Sequence, residues 1–174
     1  MPRAALSFVA LVTFVYVAIA AAKSPATERW QKDLGDFRQE LARVVDAAAG
    51  PPPADAAKQQ AAAQKAQRAV VIFLNKPVEW TVKCSAVYPK SGPLFPDFIG
   101  PRPGNKAGAT TVRVSIGQNN RDLPAWKDVK KGDTVVFTAV VDRLDSPAIA
   151  VDTADKNVWH VVAHIGKIKV VSSQ

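Results

Sequence analysis

The sequence predicts an α+β protein: an N-terminal helical hairpin followed by a five-stranded β-barrel, the whole preceded by an export signal. Three observations predict it. An uncharged apolar run fills residues 6–22, a helical period of three and four runs through residues 30–73, and from Pro77 onward the period becomes two. The 174 residues hold one domain plus an appendage, and a 48% hydrophobic content is ordinary for a chain that buries a core, which excludes full disorder.

Arg3 and the amino terminus form a short positive region ahead of the apolar run. The end of that run places small residues at the spacing a signal peptidase reads, either Ala18 and Ala20 or Ala20 and Ala22. Residues 1–22 therefore read as a signal peptide and the protein as exported, periplasmic or secreted. An N-terminal membrane anchor is the alternative, because the run approaches the roughly 20 residues that span a bilayer. Lys23 stands where a lipoprotein would need Cys. No second stretch is long enough to span, so no transmembrane helix is expected once the signal is cleaved. Of the 23 basic and 15 acidic side chains, only Arg3 lies in the signal, and the excess is spread along the rest. A diffuse excess reads as a solvated surface, whereas a nucleic-acid footprint clusters its cations on one element.

Ser24 and Pro25 read as an N-cap and first helical position, with Glu28 in the first turn. Trp30, Leu34, Phe37, Leu41, Val44 and Ala48 then follow at intervals of four and three, which predicts one amphipathic helix of about 25 residues. Gly50 and the three prolines after it must end that helix. Residues 54–74, rich in Ala and Gln, repeat Ala62, Ala66, Ala69 and Phe73 at helical spacing and give the second arm. Residues 23–75 thus read as a helical hairpin, with a flexible spacer as the alternative. Neither arm carries chemistry beyond packing. The amphipathic first helix can also pack in trans, which makes residues 24–74 a candidate contact for a protein partner.

In residues 78–88 one face of a strand receives Val78, Trp80, Val82, Cys84, Ala86 and Tyr88, and these are expected in the core. A loop rich in Pro, Gly and Lys follows over 89–109. Residues 110–116, 134–144, 148–151 and 158–171 supply four more strands, with Pro147 limiting the third and Gly166 a natural bulge or bend in the last. The β half holds most of the β-branched residues and is expected to fold without the hairpin.

Two stretches carry a resemblance: Pro77-Val78-Glu79-Trp80, which opens the first strand, and residues 126–137 (WKDVKKGDTVVF), which lead into the third. With five strands and a long connection after the first, they resemble the OB-fold, in particular exported bacterial relatives of the anticodon-binding OB domains. The resemblance covers about residues 77–171 and implies a Greek-key, OB-like β-barrel over 76–174. Ile, Val and Ala stand where nucleic-acid-binding relatives would show stacking aromatics, which counts against a nucleic-acid partner.

A search for chemistry returns no catalytic residue, metal site or cofactor site. Cys84 is the one cysteine, so no intramolecular disulfide forms, and it is expected as a core thiol. His160 and His164 lie four apart on one strand face, about 13 Å from each other, too far to share a metal. Asp142, Asp145, Asp152 and Asp155 lack the spacing of a calcium loop and read as solvated acids. No Gly-x-Ser-x-Gly elbow or phosphate-cradling glycine loop occurs. The candidate ligand surface is instead the long loop, with Lys90, Phe95, Phe98, Arg102 and Lys106, together with Lys127, Lys130 and Lys131 before the third strand. These cations would attract an anionic ligand. The function expected is a non-enzymatic exported binding or interaction module of the cell envelope or secreted space, its ligand unknown. A single-stranded nucleic-acid or polyanion-binding OB-fold protein and a hydrolase whose active site the residue order does not reveal are the alternatives.

Overall fold

The computed structural model of the chain describes residues 25–88, 92–99, 110–116, 126–151 and 157–174. The export signal expected over 1–22 lies outside them. Among the described residues no helix is long and apolar enough to cross a membrane.

Helices α1 (Pro25–Lys32) and α2 (Leu34–Ala49) replace the single first helix that the period predicts. The break falls at Asp33, whose backbone is extended and whose carboxylate accepts the Asp36 N–H at 2.8 Å. An Asp in this position satisfies a free donor of the new helix, a role its short side chain fills better than continuing the old one. The apolar stripe survives the break: Trp30, Leu34, Phe37, Leu41 and Val45 are all buried. Gly50, at φ 65°, ends α2 with its N–H on the Asp46 carbonyl. Helix α3 (Ala56–Ala69) is capped by Asp55 onto the Lys58 N–H and packs on α2 with Ala62 and Ala66. A 3-10 turn, Val70–Phe73, then buries Val70 and Phe73.

The β half comprises β1 (Pro77–Lys83), β2 (Ala86–Tyr88), β3 (Gly92–Leu94), β4 (Thr111–Ile116), β5 (Thr134–Leu144), β6 (Ala148–Val151) and β7 (Asn157–Ser173), with a short helix α4 (Pro96–Ile99) after β3. One mixed sheet of five strands runs in the order β1-β5-β7-β4, with β6 also on β7. The β4–β7 pair is parallel and the others are antiparallel. Strand β6 continues the line of β5 along β7 beyond Pro147. At Gly166 the expected irregularity is present: the β5–β7 register slips between Thr138 and Val140, opposite Gly166, and Lys167 takes φ 52°. Such bulges sharpen the twist of a sheet.

The sheet is strongly curled into a half-barrel, and the expected closed barrel does not form. Strands β1 and β4 are its outer strands, and neither gains a second neighbour in this sheet among the described residues. Short α4 packs against both of them and inserts Phe98 towards Phe137, while α1 packs on β1 and α2 on β4. The concave side is therefore filled by helical side chains that a closed barrel would have no room for.

The first predicted strand is also divided. After Lys83 the Cys84 N–H bonds to Asp133 O and the Ser85 N–H to Leu94 O, so β2 leaves the sheet and forms a separate hairpin with β3. Tyr88, expected in the core, is 51% exposed as a result, whereas Trp80 on β1 is fully buried.

One core spans both halves. Rings connect in sequence from Trp30 to Phe37, Trp80 and Phe137, and from Phe137 to Phe98 and Trp126, with centroid separations of 5.0–6.2 Å. The indole N–H of Trp80 donates to Trp30 O, and that of Trp159 to Gly50 O. No apolar boundary separates the helices from the sheet, so the β half lacks part of its core when the helices are removed.

Candidate functional site

The open side of the half-barrel holds the site. Helix α4 starts at Pro96, and Asp97 in its first turn accepts the Lys83 N–H at 3.3 Å, tying α4 to the end of β1. Phe95 and Phe98, which the sequence leaves in the long loop without a strand face, are 2% and 6% exposed. Their rings pack on each other and on Trp126 and Phe137, because the loop folds back as β3 and α4 and turns its apolar side chains inward.

Between the β2–β3 hairpin and α4 on one side and β4 on the other lies a cleft of about 370 Å³. Tyr88, Leu94, Phe98 and Ile99 form one wall. The other is the consecutive run Arg113, Val114, Ser115 and Ile116. Successive strand residues point to opposite faces, so a wall made of four in a row is the edge of the strand. Tyr88 and Ile99 are about half exposed at the rim. Arg113 is exposed and has no carboxylate partner among the described residues. The cleft thus combines an aromatic and aliphatic surface with one open cation.

The basic candidates divide. Lys127, Lys130 and Lys131 are exposed on the turn before β5, and none lines the cleft. That turn is rigidly held: Gly132, at φ 97°, donates to Cys84 O, and Asp133 accepts from the Lys130 N–H at 2.8 Å and the Ser173 hydroxyl at 2.7 Å. These bonds, the one from Ser173 first, hold the Asp133 carboxyl below its usual range. Lys90, Arg102 and Lys106 lie outside the described residues. The structure therefore brings Phe95 and Phe98 to the cleft but not the three described lysines.

The two histidines share a face of β7 and take different partners. His160 Nδ1 lies 2.8 Å from the Thr111 hydroxyl, and burial, followed by the charge of Arg113, pushes its pKa down. His164 Nε2 is 2.9 Å from both Arg143 Nη2 and Asp145 Oδ2. Those contacts need opposite roles, since the nitrogen accepts from Arg143 when unprotonated and donates to Asp145 when protonated. Asp145 also pairs with Arg143 at 3.2 Å, while Asp142 is exposed and Asp152 and Asp155 lie outside the described residues. Among the described residues no cluster of three or more His, Cys, Asp or Glu is placed to hold a metal.

Among the described residues, Arg38 on α2 carries buried side-chain donors that meet no acceptor. These are its Nε and Nη2, and burial lowers its pKa against the opposing pull of Asp97.

Sequence reasoning missed Arg113 and Ile99, and it preferred the core for Tyr88, which the structure leaves half exposed at the cleft rim. Arg113 reads from sequence as one outward residue among several, and only the strand order places it at an edge. No protein-family description, curated protein or solved structure matches the chain.

Proposed function

We propose that the protein is an exported, non-enzymatic binding module, its sheet an opened OB-like barrel and its ligand surface the cleft along β4. The OB-like reading is supported by the count of five strands in one curled sheet and by the long connection from β1 to the opposite edge strand β4. Export is supported by the uncharged run at 6–22 and its alanine-rich end. The single observation that carries the binding reading is the cleft, where an apolar wall of Tyr88, Leu94, Phe98 and Ile99 faces Arg113. Pockets of this volume with a few placed polar groups are the usual form of a ligand site. The ligand has an apolar body and an anionic group.

Fluorescence titration of the mature chain with 1-anilinonaphthalene-8-sulfonate tests this reading, because that probe joins apolar rings to one anion. Arg113→Ala and Tyr88→Ala should each weaken binding several-fold, and Lys127→Ala should leave it unchanged. Equal affinity in all four proteins would remove the cleft from the account. A steeply salt-dependent affinity for single-stranded oligonucleotides, tighter than for the dye, would favour the nucleic-acid alternative.

A further inference from the structure

A second surface lies where α3 runs into the 3-10 turn. Helix α3 carries Lys58, Lys65 and Arg68, all exposed, and no acidic residue. Their spacing of seven and three sets them along one side of the helix. Asp55, ahead of the helix, spends its carboxylate on the Lys58 N–H. None of the three cations pairs with a carboxylate among the described residues. One turn beyond Arg68 stand Val71 and Ile72, 55% and 59% exposed. Val70 and Phe73 on either side of them are buried, so the turn is anchored and holds two aliphatic side chains out from the protein.

We infer that this end of α3 and the 3-10 turn form a membrane-docking surface, with the three cations against anionic lipid headgroups and Val71 and Ile72 entering the acyl boundary. The inference does not depend on the cleft. Three features select a lipid surface. An exposed turn has no walls to enclose a single small molecule, whereas a bilayer covers a protruding tip. Unpaired cations beside exposed aliphatic groups match the two layers of an anionic leaflet, charge outside and hydrocarbon beneath. Protein interfaces, by contrast, are anchored by Trp, Tyr and Arg and are depleted of Lys, while this surface presents two lysines, one arginine and two aliphatic residues.

Binding of the protein to phosphatidylglycerol vesicles, measured against phosphatidylcholine vesicles, tests the inference together with hydrogen exchange on both. The anionic vesicles should bind more tightly and should slow exchange at amides within 68–75, and the zwitterionic ones should leave those amides unchanged. Lys65→Glu with Arg68→Glu should weaken the anionic binding at least about tenfold, since each cation near such a surface is worth about fivefold. Lys127→Glu with Lys131→Glu changes the net charge equally on another exposed turn and should alter binding less than about twofold. Val71→Ser with Ile72→Ser should weaken it several-fold, most clearly at high salt, where the charge attraction is screened. All these side chains are exposed, so each variant should keep the wild-type urea midpoint. Every variant retains residues 1–22, so insertion of that apolar run is common to all; if it alone holds the protein on both kinds of vesicle, exchange at 68–75 decides. Unslowed exchange there, equal losses in the two charge-reversal pairs, or unchanged binding of the serine pair would each overturn the inference. So would tighter binding to polyglutamate than to the vesicles, lost with Lys65 and Arg68 but not with Val71 and Ile72, which would put an acidic protein on this surface.

Discussion

Replacing Phe37 by Ala perturbs the point where three elements meet. The Phe37 ring is fully buried, 5.8 Å from Trp30 on α1, 5.8 Å from Phe73 in the 3-10 turn and 5.0 Å from Trp80 on β1. Truncating a fully buried Phe removes its transfer free energy and leaves a cavity, at a cost of about 3–5 kcal/mol. The ring contacts, each worth about 0.5–1.5 kcal/mol, lie within that figure and are not added to it. A domain with about 5–15 kcal/mol of stability loses a large part of it. Urea unfolding of the protein, followed by far-ultraviolet circular dichroism for the helices and by tryptophan fluorescence for the core that Trp30, Trp80 and Trp159 share, measures the effect. Both curves should shift together, because one core carries helices and sheet. Ile72→Ala, at a side chain 59% exposed in the adjoining turn, should cost under about 0.5 kcal/mol. A helical signal that melts early while the fluorescence midpoint stays at its wild-type value would refute the reasoning, and so would a loss below about 1 kcal/mol.

Three further outcomes follow. Cys84 is 1% exposed and burial pushes its thiol pKa up, so a disulfide reagent should modify it slowly until denaturant is added; reaction at the rate of a free thiol would place it at the surface. Arg38→Met keeps an apolar stem and removes a guanidinium whose shielded Nε and Nη2 meet no acceptor among the described residues, so it should raise stability by about 1 kcal/mol or more, and a loss would show that Arg38 has an acceptor in solution. His160 is held below its ordinary pKa, so the unfolded chain takes up that proton first; its contribution is full above about pH 6.5 and is lost as the pH falls towards the folded value. His160→Gln should flatten that part of the stability profile, and an unaltered profile between pH 7 and 5 would contradict the assignment.

Local signals made much of the fold legible. The periods of α2, β4, β5 and β7 stand in the residues themselves, and the expected strand at 134–144 is β5 residue for residue. The prolines after Gly50 announced the end of the hairpin's first arm. What stayed hidden depends on partners distant in sequence. Residues 78–88 alternate without interruption, yet Cys84 and Ser85 are drawn off by Asp133 and Leu94, and Tyr88 emerges at the surface. Asp33 looked like one polar residue on a helical face, and its capping role required the backbone to turn there. Closure of the sheet could not be read either, because it depends on the helices filling the concave side. The site was hidden for the same reason: Phe95 and Phe98 were visible as unexplained aromatics in a loop, but the edge position of Arg113 is a property of strand order.

The most direct test of the account is a map of amide chemical-shift changes on the protein as 1-anilinonaphthalene-8-sulfonate is added. The account predicts that the perturbed amides cluster at 88, 92–99 and 113–116, and that Arg113→Ala reduces these shifts at equal probe concentration. Shifts centred on the Lys127–Lys131 turn, on the exposed Val71 and Ile72, or on the His160 face of β7, with 113–116 unmoved, would contradict it.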